Sequence, residues 1–284
     1  MDGGAKMSSR IVFSDIDGCM GEFVKPDYPD KQDLNGNMEN LEMIKSKTLK
    51  FKDTLFGVCT SRSYHIADNI MEQSNHIGPS IFEGGNVIFE PEVGVYNLFE
   101  KHPKLKDSIE VVRGFVEWRK EMENFEDEIK ERFKDAKVRH MKERTCMLTY
   151  EFEKNIGKDL FEFIVKNKMP AEVKDAIDKG VLKVLFCDIA IDILPNLSKG
   201  DAVSFLLEKY KIRKEDSFSI GDSSHSDLDF LNATGLAGCP NNADEELKRL
   251  VVSKEEKGFV SDKEHAEGMA EILDKVYEKW FKDE

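Results

Sequence analysis

The stretch Ile11-Val12-Phe13-Ser14-Asp15-Ile16-Asp17-Gly18 decides how the rest of the chain is read. A short apolar run delivers two acids, spaced i and i+2, onto a turn. Alternation along a strand points such a pair the same way, and Gly18 lets the backbone turn sharply. Two carboxylates on one strand end suit a hard cation and can divide nucleophilic and acid–base work. Asp-x-Asp-Gly also makes ordinary turns. What distinguishes it here is a second strand–acid junction far along the chain, Ser217-Phe218-Ser219-Ile220-Gly221-Asp222.

Outward from these junctions, short apolar runs ending in small or acidic residues recur at 11–13, 55–59, 80–82, 217–220, 235–239 and 258–260. Helical spacing follows two of them. Ile66, Ile70 and Met71 share a face over 63–74, and Ala202, Val203, Leu206 and Leu207 form a stripe over 198–210 behind Ser198 as N-cap. Strands alternating with helices predict βαβ units and a parallel sheet, hence an α/β fold. Ligand sites in such sheets lie beyond the carboxyl ends of the strands, where both acidic junctions fall.

The middle of the chain reads differently. A charged helix is predicted over 104–134, with Ile109, Val112, Phe115, Val116 and Trp118 on its buried face. Strands at 137–141 and 145–152 follow, then a helix over 158–178 and strands at 181–186 and 190–194. This helix–strand–strand pattern, twice over, predicts an α+β domain at 91–190 inserted into a core formed by 10–90 and 191–284. Residues 1–9 are expected to be disordered.

The formal charge of −14 over 284 residues argues against a nucleic-acid or membrane binder, both of which need a basic face. An anionic substrate would require positive potential concentrated locally. Five cysteines, odd in number and without CxxC pairing, favour reduced thiols and give no zinc signature. With no apolar signal segment at the start and no run of membrane-span length, a cytoplasmic protein is expected. Monomer and dimer are equally open.

Four segments stand in order: Ser14-Asp15-Ile16-Asp17-Gly18; Gly57-Val58-Cys59-Thr60-Ser61-Arg62; Ser198-Lys199-Gly200; and Gly221-Asp222-Ser223-Ser224-His225-Ser226-Asp227. Together they form a phosphate-handling set. Carboxylates hold Mg²⁺; a hydroxyl, turn amides and one lysine bind phosphoryl oxygens, with the helix N-terminus adding partial positive charge. The metal is needed because a carboxylate approaches a phosphate dianion only once charge is neutralised.

These segments resemble the haloacid dehalogenase superfamily of phosphohydrolases, in particular its class II, Cof-type or sugar-phosphatase-like members. The resemblance covers about 10–262 and includes Asp192-Ile193-Leu194-Pro195-Asn196-Leu197-Ser198-Lys199-Gly200 and Glu83-Gly84-Gly85-Asn86. It implies a Rossmann-like core, with Asp15 as nucleophile and Asp17 as general acid–base. Thr60, Ser61 and Lys199 would bind phosphate. Asp15, Asp17 (through its main-chain carbonyl), Asp222 and Asp227 would serve Mg²⁺. Of the gaps between motifs, 42 residues lie between Asp17 and Thr60 but 138 between Thr60 and Lys199. In this superfamily an insert in that second gap is the cap that selects substrate. The implied activity is hydrolysis of a phosphomonoester of a small metabolite, a sugar phosphate or phosphorylated small acid, through an aspartyl-phosphate. A phosphomutase and a phosphate-ligand sensor are the alternatives.

Three positions depart from the family pattern. Cys19 stands where relatives carry Thr or Val, Ser61 replaces a frequent glycine, and four residues rather than three separate Asp222 from Asp227. Arg62 would reach the phosphate, anchor the cap or form a surface salt bridge. Asn242 approaches the site in relatives, although capping a helix over 243–250 is its simpler role. His225 reads as a loop residue, and Cys59 and Cys187 read as small core residues. Cys19 is the thiol to test for redox sensitivity. In the insert, Glu143, Arg144 and Lys183 are charges that could face substrate.

Overall fold

A computed structural model describes residues 10–21 and 38–281, so the disorder expected at 1–9 lies outside the described residues. The chain divides into two compact units. One takes the described residues up to Tyr96 and resumes at Ser198; the other is Asn97–Leu197.

The first unit opens with β1 (Arg10–Ser14), α1 (Met38–Thr48), β2 (Thr54–Val58), α2 (Tyr64–Ser74), β3 (Ser80–Phe82), β4 (Val87–Glu90) and β5 (Gly94–Asn97), the last of these ending on the first residue of the second unit. The second unit contains α3 (Ile109–Glu121), α4 (Glu126–Arg132), β6 (Arg139–His140), β7 (Leu148–Glu151), α5 (Gly157–Asn167), α6 (Ala171–Asp178), β8 (Leu182–Phe186) and β9 (Ala190–Pro195). The first unit then resumes with α7 (Lys199–Tyr210), β10 (Ser217–Ile220), α8 (Ser224–Ala233), β11 (Leu236–Cys239), α9 (Glu245–Ser253), β12 (Gly258–Val260) and α10 (His265–Phe281).

The first unit is built on a parallel sheet of order β12-β11-β10-β1-β2. Its central strands are apolar and buried on both faces: Ile11, Val12, Phe13, Phe218 and Ile220 have no exposed surface. That is the signature of a sheet covered by helices on both sides. From β1 the chain steps outward to β2, whereas from β10 it steps the opposite way to β11 and β12. Right-handed crossovers therefore put the two sets of helices on opposite faces. Accordingly α1 packs on α2 and α10, and α8 on α7 and α9. The order reverses between β1 and β10, which makes that pair the topological switch point, beyond whose carboxyl ends ligands bind.

Register sets the strand ends level. Ser14 pairs with both Ile220 and Val58. Beyond them, Asp15 N donates to Ile220 O (2.9 Å) and Cys59 N to Ser14 O (2.8 Å). Asp15, Cys59-Thr60 and Gly221-Asp222 thus leave the sheet side by side. The far end of the same sheet is closed by aromatic packing of Phe51 against Phe56, Tyr277, Trp280 and Phe281, with Arg10 stacked 4.5 Å over Phe281.

Within the second unit, a sheet of order β6-β7-β9-β8 pairs antiparallel throughout. Val112, Phe115, Val116 and Trp118 of α3 are buried as predicted, and Trp118 Nε1 donates to Lys168 O (2.9 Å). Both long helices predicted here are broken. The first gives way to a 3-10 turn at Met122–Phe125 before α4 begins, where Asn124 and Phe125 are poor helix formers and Phe125 sits at φ −105°, ψ 5°. The second splits into α5 and α6 because Pro170 lacks an N–H and clashes with the preceding turn, so a helix cannot run through it. Cys187 is exposed beyond β8 rather than part of the core, whereas Cys59 is buried as expected.

Two buried histidines carry a stability consequence. His76 in the first unit bonds Ser14 Oγ (3.2 Å) and Ser74 Oγ (2.9 Å), and burial pushes it down to about 4; His140 in the second is likewise pushed to about 4 by burial and by the charge of Arg119. A depressed folded-state value means the unfolded chain takes up a proton the folded chain refuses, so stability is lost as pH falls from about 6.5 towards 4. For His76→Gln this loss disappears at that site. The stability of wild type relative to the variant, followed by calorimetry, is expected to fall by up to about 3 kcal/mol between pH 7 and 4. A difference that does not vary with pH would refute the assignment.

Candidate active site

Lys199, the first residue of α7, reaches the strand ends with its ammonium group. Its Nζ donates to Asp15 Oδ2 (2.9 Å) and to Asp227 Oδ1 (2.7 Å) while lying 5.2 Å over the Phe230 ring. Lys199 and Asp15 are almost fully buried and Asp227 is fully so. Burial works against the ammonium, but the charges of Asp15 and Asp227 win and hold Lys199 well above its ordinary value. Asp15 is pushed well above the carboxylate range by burial, against the pull of Lys199 and with Asp227, Asp17 and Asp222 adding to the push.

The start of α7 is fixed by a capping box: Ser198 Oγ accepts from Asp201 N, and Asp201 Oδ2 accepts from Ser198 N. Gly200 N donates to Asp229 Oδ2 (3.0 Å). Two of the helix's first amides are thereby satisfied by side chains. Behind Lys199 lies the turn Glu83–Gly85. Gly85, at φ +106°, passes so close that a Cβ there would meet Ser198 O at 2.2 Å, which is why the Glu83-Gly84-Gly85-Asn86 segment needs glycine at that point.

Asp227, in the first turn of α8, organises the loop before it. Its Oδ2 accepts from the amides of Asp222 (3.0 Å) and Ser223 (3.2 Å), and its Oδ1 from Ser226 Oγ (2.7 Å) as well as from Lys199. The extra residue between Asp222 and Asp227 is absorbed without separating the acids: ligating atoms of Asp15, Asp222 and Asp227 lie within 4.8 Å of one another. Asp222 is raised to about 7, first by burial and then by Asp227. Its carboxylate sits against Gly18, at φ +76°, where an added Cβ would come within 1.9 Å of Asp222 Oδ2. Three crowded oxygen donors, with Asp15 and Asp222 both forced upward, are a donor set suited to a hard divalent cation.

Asp17 turns its side chain away from this cluster. Arg62 grips it in a two-pronged pair, Nε to Oδ2 (2.8 Å) and Nη2 to Oδ1 (2.6 Å). Burial lowers the Arg62 guanidinium, but the hydrogen bonds and charge of Asp17 more than offset this and raise it. Arg62 Nη1 is buried with no partner among the described residues. Of the roles considered for Arg62, the geometry shows a half-buried ion pair at the site. Thr60 is buried; its N donates to Ile81 O (2.9 Å) and its Oγ1 accepts from Arg62 N (3.2 Å). Ser61 is exposed beside it, and His225 is exposed on the first turn of α8 rather than in a loop.

Asn242 is not a helix cap. Asp244 caps α9, accepting from Glu246 N and Leu247 N. Asn242 instead spans the site's edge: Nδ2 donates to Gly18 O (2.9 Å) and Oδ1 accepts from His265 N (2.7 Å). His265 Nδ1 also lies 3.2 Å from Gly18 O. His265 and Asp229 went unmarked in the sequence, which gives no sign that a residue 247 positions away touches the Gly18 turn. Cys19 is fully buried, and burial together with Asp222 and Asp15 pushes its thiol well above its ordinary value. Both features weigh against redox sensitivity at this position, since reactivity requires an accessible thiolate. Of the insert's charges, Lys183 donates to Leu197 O (2.7 Å), and Glu143 and Arg144 are half-buried between β6 and β7.

A family model described as haloacid dehalogenase-like hydrolase matches residues 12–273, and the chain belongs to that family. Among curated proteins it is 33% identical over 114 residues to a phosphoglycolate phosphatase of Methanothermobacter thermautotrophicus, covering 39% of this chain and 48% of that protein. A phosphoglycolate phosphatase of Staphylothermus marinus is 29% identical over 116 residues, covering 40% and 46%. The matched region thus spans about half the length of these relatives. Among solved structures, Thermoplasma acidophilum 0175 aligns with a TM-score of 0.60 at 17% identity, covering 93% of this chain and 96% of that one. The sucrose-phosphatase of Synechocystis sp. PCC6803, in complex with sucrose and phosphate, aligns at 0.58 and 17%, covering 94% and 98%. These likenesses establish the fold.

The two buried acids on Lys199 differ in what they support. Asp227→Asn removes one of the ammonium's two carboxylates and disturbs the loop amides, so it should lower stability by about 2 kcal/mol or more. Asp15→Asn relieves a crowded carboxylate and should leave the melting temperature unchanged or raised. Thermal unfolding of both variants without metal is the check, and a larger loss for Asp15→Asn would contradict this reading.

Proposed function

We propose that the chain is a Mg²⁺-dependent phosphatase that hydrolyses a phosphomonoester of a small metabolite through an aspartyl-phosphate on Asp15. The observation that carries this reading is Lys199 held between Asp15 and Asp227, with Asp222 completing a three-carboxylate cluster at the sheet's switch point. Family membership supports hydrolysis, and the names of the partial relatives support a phosphate ester as substrate.

In this reading a carboxylate oxygen of Asp15 attacks phosphorus, the ester O–P bond breaks, and Asp17 gives a proton to the leaving alkoxide. Asp17 then takes a proton from water, whose oxygen attacks phosphorus and breaks the Asp15–phosphorus bond. Lys199 and the Thr60 hydroxyl, whose oxygen already accepts from Arg62 N, bind phosphoryl oxygens, with Ser61 beside them. Arg62 aims Asp17 and keeps Nη1 for an anionic oxygen. Asn242, with His265, fixes the Gly18 turn at the edge of the substrate site. Asp15, Asp222, Asp227 and the main-chain carbonyl of Asp17 would hold or orient Mg²⁺. When bound, that ion neutralises phosphoryl charge so that one anion can attack another.

The second unit is proposed to act as the cap that selects substrate. A sugar phosphate or a phosphorylated small acid fits an acidic protein better than nucleic acid or a membrane surface does. Among the described residues no helix is long and apolar enough to cross a membrane, and a cytoplasmic location is part of the same reading.

The test is phosphate release across a panel of phosphorylated metabolites with Mg²⁺, with chelator, and with Asp15→Asn. Release is expected to need the metal and to fall at least about 10³-fold in the variant, the scale of losing a nucleophile. Turnover that survives in Asp15→Asn would overturn the mechanism. Isomerised product without sustained release would favour the mutase.

A further inference from the structure

In a chain of net charge −14, an uncompensated buried cation stands out. Arg119, on α3 in the second unit, is 4% exposed. Its Nε and Nη1 are buried without a hydrogen-bond partner among the described residues. A guanidinium is charged at any physiological pH, and an unpaired buried charge is costly. The His140 that feels its charge also feels that of Glu126, but no acid bonds the guanidinium among the described residues. His140 and Tyr150 are stacked at 4.8 Å, and both ring nitrogens of His140 and the Tyr150 hydroxyl are also buried without partners among the described residues. The depression of His140, due first to burial and then to Arg119, shows that the guanidinium's field is felt inside the unit.

Arg119 lines a cleft of about 570 Å³ that is made wholly of second-unit residues. Arg113, Lys120 and Arg144 line it too, together with Glu100 and Glu117. Arg113 forks onto Glu100 (3.0 and 2.6 Å) and Lys120 pairs with Glu117 (2.9 Å). The paired charges form the rim, and the guanidinium with no acid on it lies on the buried side.

We infer that this cleft is an anion site that takes a phosphate group, with Arg119 as its principal ligand. A guanidinium fork matches adjacent phosphoryl oxygens. A phosphate there supplies the missing counter-charge to Arg119. The site shares no residue with the carboxylate cluster, so the inference stands whether or not the phosphatase reading does.

The experiment is calorimetric titration of the metal-free full-length chain with inorganic phosphate at low ionic strength, with chloride as the control anion. Wild type should bind phosphate, and Arg119→Gln should weaken it at least about tenfold, the scale of a lost charge-assisted pair. Should Arg119→Gln not fold, Lys120→Glu on the exposed rim still tests the site and should weaken binding about threefold or more. Two results would each overturn the inference: no binding by wild type, or equal binding by Arg119→Gln or Lys120→Glu, which would place the phosphate elsewhere.

Discussion

The rest of the first unit is arranged around one buried ammonium. Lys199 bonds Asp15 and Asp227 at once and supplies a buried positive charge between them. The pairing constrains three segments far apart in sequence. α7 must start at a fixed height, which the Ser198–Asp201 box and the Asp229 bond to Gly200 N secure. β1 and β10 must end level, which their register secures. The loop between β10 and α8 must fold back on Asp227, which its two amides secure. Crowding tells on the cluster all the same: burial and the neighbouring acids hold Asp15 well above the carboxylate range and raise Asp222 to about 7.

The Asp15-Ile16-Asp17-Gly18 turn divides two chemistries that a strand alone would have pointed together. Asp15 faces the lysine and the acid cluster; Asp17 faces Arg62. Gly18 permits this because its positive φ turns the chain sharply and its missing side chain lets Asp222 close in. The Gly18 carbonyl is then held from the C-terminal part of the chain by Asn242 and His265. An acid on a short turn keeps one orientation only when such contacts over-determine the backbone.

The parallel sheet was legible because its strands are apolar on both faces and end in small or acidic residues, so pattern and chemistry agree. The acids, Thr60 and Lys199 were legible because each sits at an element boundary of distinctive composition. What escaped is of another kind. Helix breaks at Asn124-Phe125 and before Pro170 arise from local propensity hidden beneath continuous amphipathic spacing. The cap of α9 falls to Asp244 rather than Asn242 because Asn242 is engaged by Gly18 and His265, a tertiary contact with no local sign. The grip of Arg62 on Asp17 likewise joins positions 45 apart. Cys187 follows an apolar strand yet is exposed, because β8 lies at the edge of its sheet and Phe186 itself stands open at its end.

An acidic protein that handles anions must build positive potential locally, and this chain does so in two opposite ways. At the strand ends, Asp15, Asp17, Asp222 and Asp227 share the cations Lys199 and Arg62, and burial with mutual repulsion holds Asp15 well above the carboxylate range and Asp222 at about 7. In the proposed mechanism a divalent cation would favour the ionised form of these acids and offset the charge of a phosphate group, which couples metal and phosphate by electrostatics. In the second unit the cleft at Arg119 instead offers a buried guanidinium with no acid on it and needs no metal to attract an anion. The first arrangement ties anion binding to chemistry, since the carboxylates that would hold the cation include the proposed nucleophile. The second has no nucleophile among its lining groups, so what it binds it can only hold.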